Sequence, residues 1–223
     1  ALGIGTYSDE SDGKKVLADK AGDARNFQYY LYDSRGIKAR PGQIIVNPAD
    51  EVPDDMSDDN EKYFVVGKEK TAYFDGSHVR EVLQGTPFYQ NNGNNAGNGI
   101  PILAWEKGTS GSFFLNLSHV HLARSLMSHH IYCSYNTFME AELAMMQDLG
   151  YEIDRRNFFG RSIYFDDSTI RNTQGYFARN AAGTEYEAGK ANTASLGIGL
   201  HVYGSCNNIL QTDEGKGDGS ADL

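Results

Sequence analysis

Residues 116–154 read NLSHVHLARSLMSHHIYCSYNTFMEAELAMMQDLGYEID. The spacing predicts a helix from Phe138 to Leu149. Phe138, Ala141, Met145 and Leu149 fall on one face, and Met139, Leu143 and Met146 widen it. An apolar stripe this broad is expected to be buried on most of its surface. Thr137 can cap the first turn, with Glu140 three residues on in the capping-box position. Glu142 is expected on a solvated helix face. Gly150 is expected to end the helix in a left-handed conformation, with Tyr151 folding back toward Met146.

The same stretch holds four of the six histidines: His119, His121, His129 and His130. A catalytic zinc takes three protein ligands and keeps one position open for water. His119 and His121 stand two apart, and only one of them is expected to reach a given metal. The plain alternative for His119 is a loop histidine bonded to backbone. His129 and His130 are better placed for a cleft or the surface than for metal, and Met127 could be ordinary core.

The order of these residues resembles that of metzincin peptidases, the leishmanolysin-like ones especially. Those enzymes place a last zinc-binding His before a tight turn carrying Met, then a helix with an ending like LxDLGY. Here His119 precedes Leu126-Met127-Ser128, and Glu142-Leu143-Ala144 leads to Gln147-Asp148-Leu149-Gly150-Tyr151. The match spans about forty residues and includes an unusual turn. The resemblance implies zinc as the cofactor, His119 as the metal ligand (His121 as the alternative) and Met127 as the turn beneath the site. The thioether is soft and adaptable, suited to form a floor without taking a coordination position.

The beginning of the sequence is read the same way. Residue 1 is Ala, followed by Leu2-Gly3-Ile4-Gly5. Many metzincins read HExxHALG, so Gly3 falls on the motif's Gly if Ala1 follows its second His. The first two His ligands and the general-base Glu are then expected upstream of Ala1, with no catalytic residue in this chain, which should be inactive alone. The compact motif's third ligand would fall on Thr6, which binds no zinc. The leishmanolysin-like order, with residues 7 to 118 as an insertion before His119, accommodates this.

Composition is consistent with a secreted or surface chain. It has 223 residues, 39% of them hydrophobic, enough for a core. A formal net charge of −10 argues against a nucleic-acid partner. No apolar run is long enough for a transmembrane helix. Cys133 and Cys206 are the only thiols, bridged or free, and match no zinc-cysteine spacing.

Between the two ends the sequence predicts short strands. Residues 7 to 25, with Asp12-Gly13, read as an exposed loop. Strand-like runs follow at Phe27–Tyr32, before the turn Asp33–Gly36, and at Gln43–Val46 after Pro41-Gly42. Residues 48 to 61 form an acidic loop without the ligand order of a calcium site. Tyr63–Val66 and Thr71–Phe74 are expected to pair as a hairpin around Gly67-Lys68. Ser77 caps a short helix to about Gln84, with His78 left out of any site, and Ile102–Trp105 reads as a strand. Residues 91–99, NNGNNAGNG, are low-complexity loop.

Beyond Asp154 the texture changes. Arg155-Arg156 is expected to be a solvated charge pair. Strands are expected at Ser162–Phe165, at the alternating run Leu196–Tyr203, and from Ile209-Leu210, with the acidic tail 213–223 fraying. Short alternating strands parted by Gly/Asn turns resemble the first rungs of a β-helix, as in bacterial autotransporter passengers. The sequence therefore predicts an α+β chain. Residues 1–165 form the C-terminal part of a zincin domain, with a buried helix after a Met-turn. Residues 166–223 begin a β-helical passenger or linker.

The function implied is that of a secreted or bacterial cell-surface zinc metalloendopeptidase, acting on a peptide or protein substrate in its intact parent. The alternative is a non-catalytic surface adhesin or binding module whose zincin-like part is scaffold.

Overall fold

A computed structural model describes residues 6, 8–19, 23–46, 53–57, 60–66, 71–83, 86, 88–89, 97–107, 113–122, 125–128, 138–155, 159–164, 167, 169–172, 198–203 and 208–211. The fold is mixed α+β, and no helix among the described residues is long and apolar enough to cross a membrane.

The elements in chain order are β1 (Ser8–Ser11), β2 (Lys14–Leu17), α1 (Asp23–Tyr29), β3 (Leu31–Tyr32), β4 (Ile44–Val46), β5 (Tyr63–Val65), β6 (Thr71–Phe74), α2 (Ser77–Leu83), β7 (Ile100–Lys107), β8 (Phe113–Val120), α3 (Glu140–Asp148), β9 (Phe159–Ile163), β10 (Thr169–Asn172), β11 (Ile198–Val202) and β12 (Asn208–Gln211). One four-stranded sheet runs β1-β2-β4-β5, antiparallel except for the parallel pair β4–β5. The second runs β3-β6-β7-β8 and is antiparallel throughout.

Three sequence expectations fail here, each for a local reason. Residues 8–17 form a hairpin, not a loop. Asp12 and Gly13 sit at φ 51° and 72°, the left-handed pair that a two-residue hairpin turn demands. Most of the Phe27–Tyr32 run is helix. Phe27 and Leu31, four apart, are both fully buried, and Phe27 stacks on Phe74 with centroids 5.3 Å apart. Tertiary packing overrides the strand preference of the aromatic residues. β5 and β6 do not pair: β5 joins β4 in one sheet, and β6 lies between β3 and β7 in the other. The turn after β3 forms as expected, with Gly36 at φ 86°.

The two sheets meet at that turn. Asp33 is fully buried, and its carboxylate accepts from the N–H groups of Arg35, Ile37 and Val65. The Arg35 guanidinium binds the same carboxylate at 2.8 Å and donates to the carbonyls of Ser57, Asn60 and Tyr63. The Ser34 N–H completes the junction by bonding Val65 O at 2.8 Å.

α3 lies in the main core, as its broad stripe predicts. Eight of its nine residues are buried, Gln147 excepted. It ends as expected. Gly150 has φ 96°, its N–H bonds Gln147 O at 2.9 Å, and Tyr151 N–H bonds Met146 O at 3.0 Å. This pair of bonds is the Schellman ending.

C-terminal to α3, the two pairs among the described residues are parallel. β9 pairs with β11 and β10 with β12. Phe159 faces Ile198 and Thr169 faces Asn208, so both pairs share an offset of 39 residues (198 against 159, 208 against 169).

Candidate functional site

Val120, the last residue of β8, directly follows His119. Its N–H bonds Met127 O at 3.1 Å, which fastens the Leu126-Met127-Ser128 turn alongside the strand end that carries His119. The turn also closes on itself, with Ser128 N–H to Ser125 O and Ser125 N–H to Leu122 O, both at 3.2 Å. Met127 is half-buried and packs against the main core. Leu126 points to solvent.

The turn is held from below by Glu142, which is fully buried. Its carboxylate accepts from the Ser125 hydroxyl, from Met127 N–H at 3.1 Å and, with the other oxygen, from Met139 N–H at 2.7 Å. One carboxylate thus satisfies the start of its own helix and locks the Met127 turn onto it. Burial pushes Glu142 above the usual glutamate range, against the opposing effect of these three hydrogen bonds. This corrects the expectation of a solvated face. It also moves the reciprocal acid of the helix start from Glu140 to Glu142, with extended Met139 as the N-cap. The expected cap, Thr137, lies outside the described residues.

His119 is half-exposed, and its Nδ1 lies 3.3 Å from Ser118 Oγ. A metal-bound imidazole uses one ring nitrogen as ligand and anchors the other through a hydrogen bond. With its proton on Nδ1 toward Ser118, Nε2 would be the ligand nitrogen for one zinc. His121 lies just past the strand end, and its N–H bonds Pro101 O at 2.7 Å. Residues two apart on an extended chain share a face, so strand geometry does not by itself choose between these histidines. No group of three His, Cys, Asp or Glu placed to hold a metal occurs among the described residues. His129, His130, Cys133, Cys206 and residues 1–5 lie outside them.

A second carboxylate braces the helices. Asp148, at the end of α3, accepts from His78 N–H at 2.9 Å, from Val79 N–H at 3.0 Å and from the Ser77 hydroxyl at 3.2 Å. It therefore caps α2 from outside, a role the sequence assigned to Ser77. Gly76 makes this approach possible, because a Cβ there would overlap the Asp148 carboxyl group. Arg155 is also corrected. It is 4% exposed, bonds His78 O at 3.2 Å and pairs with Glu81 at 3.1 Å. Asp55 is bound by Lys62 and Tyr63, and those bonds hold its carboxyl below the usual range.

No protein-family model matches the chain, and neither a curated protein nor a solved structure matches it.

Proposed function

We propose that residues up to about 165 are the C-terminal part of a zinc metallopeptidase domain, leading into a β-helical segment. The observation that carries this reading is the Val120 N–H to Met127 O bond. It joins the His119 strand end to the Met127 turn, and Glu142 joins that turn to α3, in the order the leishmanolysin-like resemblance requires. His119 would supply one zinc ligand, and the zinc, when bound, would polarise the scissile carbonyl and lower the pKa of its water. Ser118 would orient the imidazole, and the Met127 turn would support it. No HExxH occurs in the 223 residues, so the other two ligands and the general base would come from outside them. A secreted or cell-surface location and a peptide substrate belong to the same proposal.

The codons directly upstream of Ala1 give the first test, and the absence of HExxH there ends the reading. Where it is present, the longer chain tests the residues. His119→Ala should remove bound zinc and activity, His121→Ala should keep most of both, and Met127→Leu should weaken the site less than His119→Ala. Zinc retained by His119→Ala and lost by His121→Ala would transfer the ligand role to His121. Unchanged metal content in all three variants would remove the site from this region.

The second reading is a non-catalytic adhesin or binding module on a zincin-like scaffold. The parallel pairs at the chain's C-terminal end favour it, because stacked coils offer a repeating surface. An upstream sequence without HExxH leaves this reading standing.

A further inference from the structure

We infer that the globular body formed by β3, β6–β8 and the helices is the template on which the C-terminal parallel coil is laid down, with Phe88, Tyr164 and Tyr203 as the joint. The inference rests on the β-helical reading of residues 159–211 and not on zinc. The first observation is the constant register. β9 and β10 begin ten residues apart (159, 169), as do β11 and β12 (198, 208), and each pairs with its counterpart at an offset of 39 (198 against 159, 208 against 169). The sequence carries the same offset: Gly160 recurs as Gly199, Ile163 as Val202, Tyr164 as Tyr203 and Ile170 as Ile209. These residues are two successive turns of one coil.

The second observation is what the coil rests on. Tyr164 belongs to the body: it is buried in the main core, and its hydroxyl accepts from Ala141 N–H at 2.9 Å, in the first turn of α3. Its equivalent one turn later, Tyr203, lies 5.6 Å from it, ring centroid to ring centroid. That is close to the spacing of neighbouring strands, with room for a tilt. Phe88 of the body closes the triangle, edge-on to Tyr164 at 6.4 Å and to Tyr203 at 5.8 Å. The Tyr203 N–H then bonds Ile163 O at 2.8 Å, continuing the ladder past the end of β11. All three ring pairs adopt the edge-on or tilted arrangement that aromatic quadrupoles favour.

A lone two-stranded pair is marginal in water, and parallel pairing is the weaker kind. In a stacked repeat, stability is a sum of unit and interface contributions, and the first unit needs a partner of another kind. Here that partner is the body, which presents Tyr164 already fixed to α3 and Phe88 beside it.

Amide hydrogen exchange on the full 223-residue chain, read by peptide mass spectrometry, tests this. In the parent chain, amides of Ile198–Val202 and Asn208–Gln211 should be protected. In Tyr203→Ala and in Phe88→Ala they should exchange at least about tenfold faster, as for a locally detached unit, while Glu140–Asp148 keeps its protection. Tyr203→Ala is decisive should Phe88→Ala loosen the body itself. Unchanged protection of β11 and β12 in Tyr203→Ala overturns the template role alone. Absence of protection in the parent chain overturns the coil pairing with it. Loss of α3 protection in Tyr203→Ala would make the body depend on the coil, the reverse of the inference.

Discussion

α2 and α3 solve the same problem by different routes. Each begins with N–H groups that have no partner inside the helix, and each receives a carboxylate. For α3 the carboxylate is Glu142, three residues past the N-cap on the same helix. For α2 it is Asp148, 70 residues from His78 and at the far end of α3. The first cap fixes one helix and one turn. The second makes the position of one helix depend on the other. A cap drawn from its own helix leaves a spacing in the sequence, whereas a cap drawn from elsewhere leaves none.

The largest effect should come from the first cap. Glu142→Ala strips the acceptor from the Ser125 hydroxyl and from the N–H groups of Met127 and Met139. We expect a loss of about 3–5 kcal/mol, since each buried donor left alone costs roughly 1–3 kcal/mol. Urea unfolding measures it, and a loss under about 1 kcal/mol would mean that water replaces the carboxylate without penalty.

Next comes the second cap. Asp148→Ala should cost about 2–3 kcal/mol, a lost N-cap with a buried Val79 N–H added. Gly76→Ala should cost a similar amount, because its Cβ takes the place the Asp148 carboxyl group occupies. The two changes remove the same cap, so the double variant should fall well short of their sum. Simple additivity in that cycle would show that Gly76 matters for some reason other than Asp148.

The smallest effect is a pH slope. The folded-state pKa of Glu142 is raised by burial, so the folded chain holds this proton more tightly than the unfolded chain does. Its titration favours the fold below the unfolded glutamate range, and that contribution is lost as pH rises through the higher folded value. Glu142→Gln removes the slope while keeping an acceptor for Ser125 and Met127. The stability of the parent relative to Glu142→Gln should therefore decline as pH rises from about 4 toward neutrality. A difference that instead grows with pH would show that the three hydrogen bonds outweigh burial.

What could be read from the sequence follows the same division. The Gly150 ending of α3, the Asp33–Gly36 turn and the strand at Ile44–Val46 were legible, because glycine placement and short apolar runs act locally. Asp12-Gly13 carried an equally local signal, and the charged residues around it hid the hairpin. The repeat of Gly160, Ile163 and Tyr164 at Gly199, Val202 and Tyr203 was also present as a pattern, but an interval of 39 residues is far longer than the helix and strand periods that decide local structure. Burial of Glu142 and Arg155 was not legible. A charged residue reads as solvated until its partners are known, and those partners come from Ser125, Met127, His78 and Glu81. At the candidate site the order of His119, Met127 and α3 could be read along the chain. The Val120–Met127 bond and the carboxylate beneath it are contacts through space.

The junction at Asp33 also bears on how this chain meets other chains. β5 and β3 are each the outermost strand of a sheet, and an outermost strand offers N–H and C=O groups on which a foreign strand can add. Here β3 is lined by its own chain, with Lys38 bridging Tyr32 and Ala39 N–H bonding Leu31 O, and β5 meets the turn that follows β3. Val65 in β5 has its carbonyl taken by Ser34 and its N–H taken by the Asp33 carboxylate, which stands where a strand carbonyl would otherwise be. Arg35 neutralises that carboxylate and covers Tyr63 O on the same strand. The border of β5, which would otherwise invite aggregation, is closed at this point by one acid, one base and a single turn.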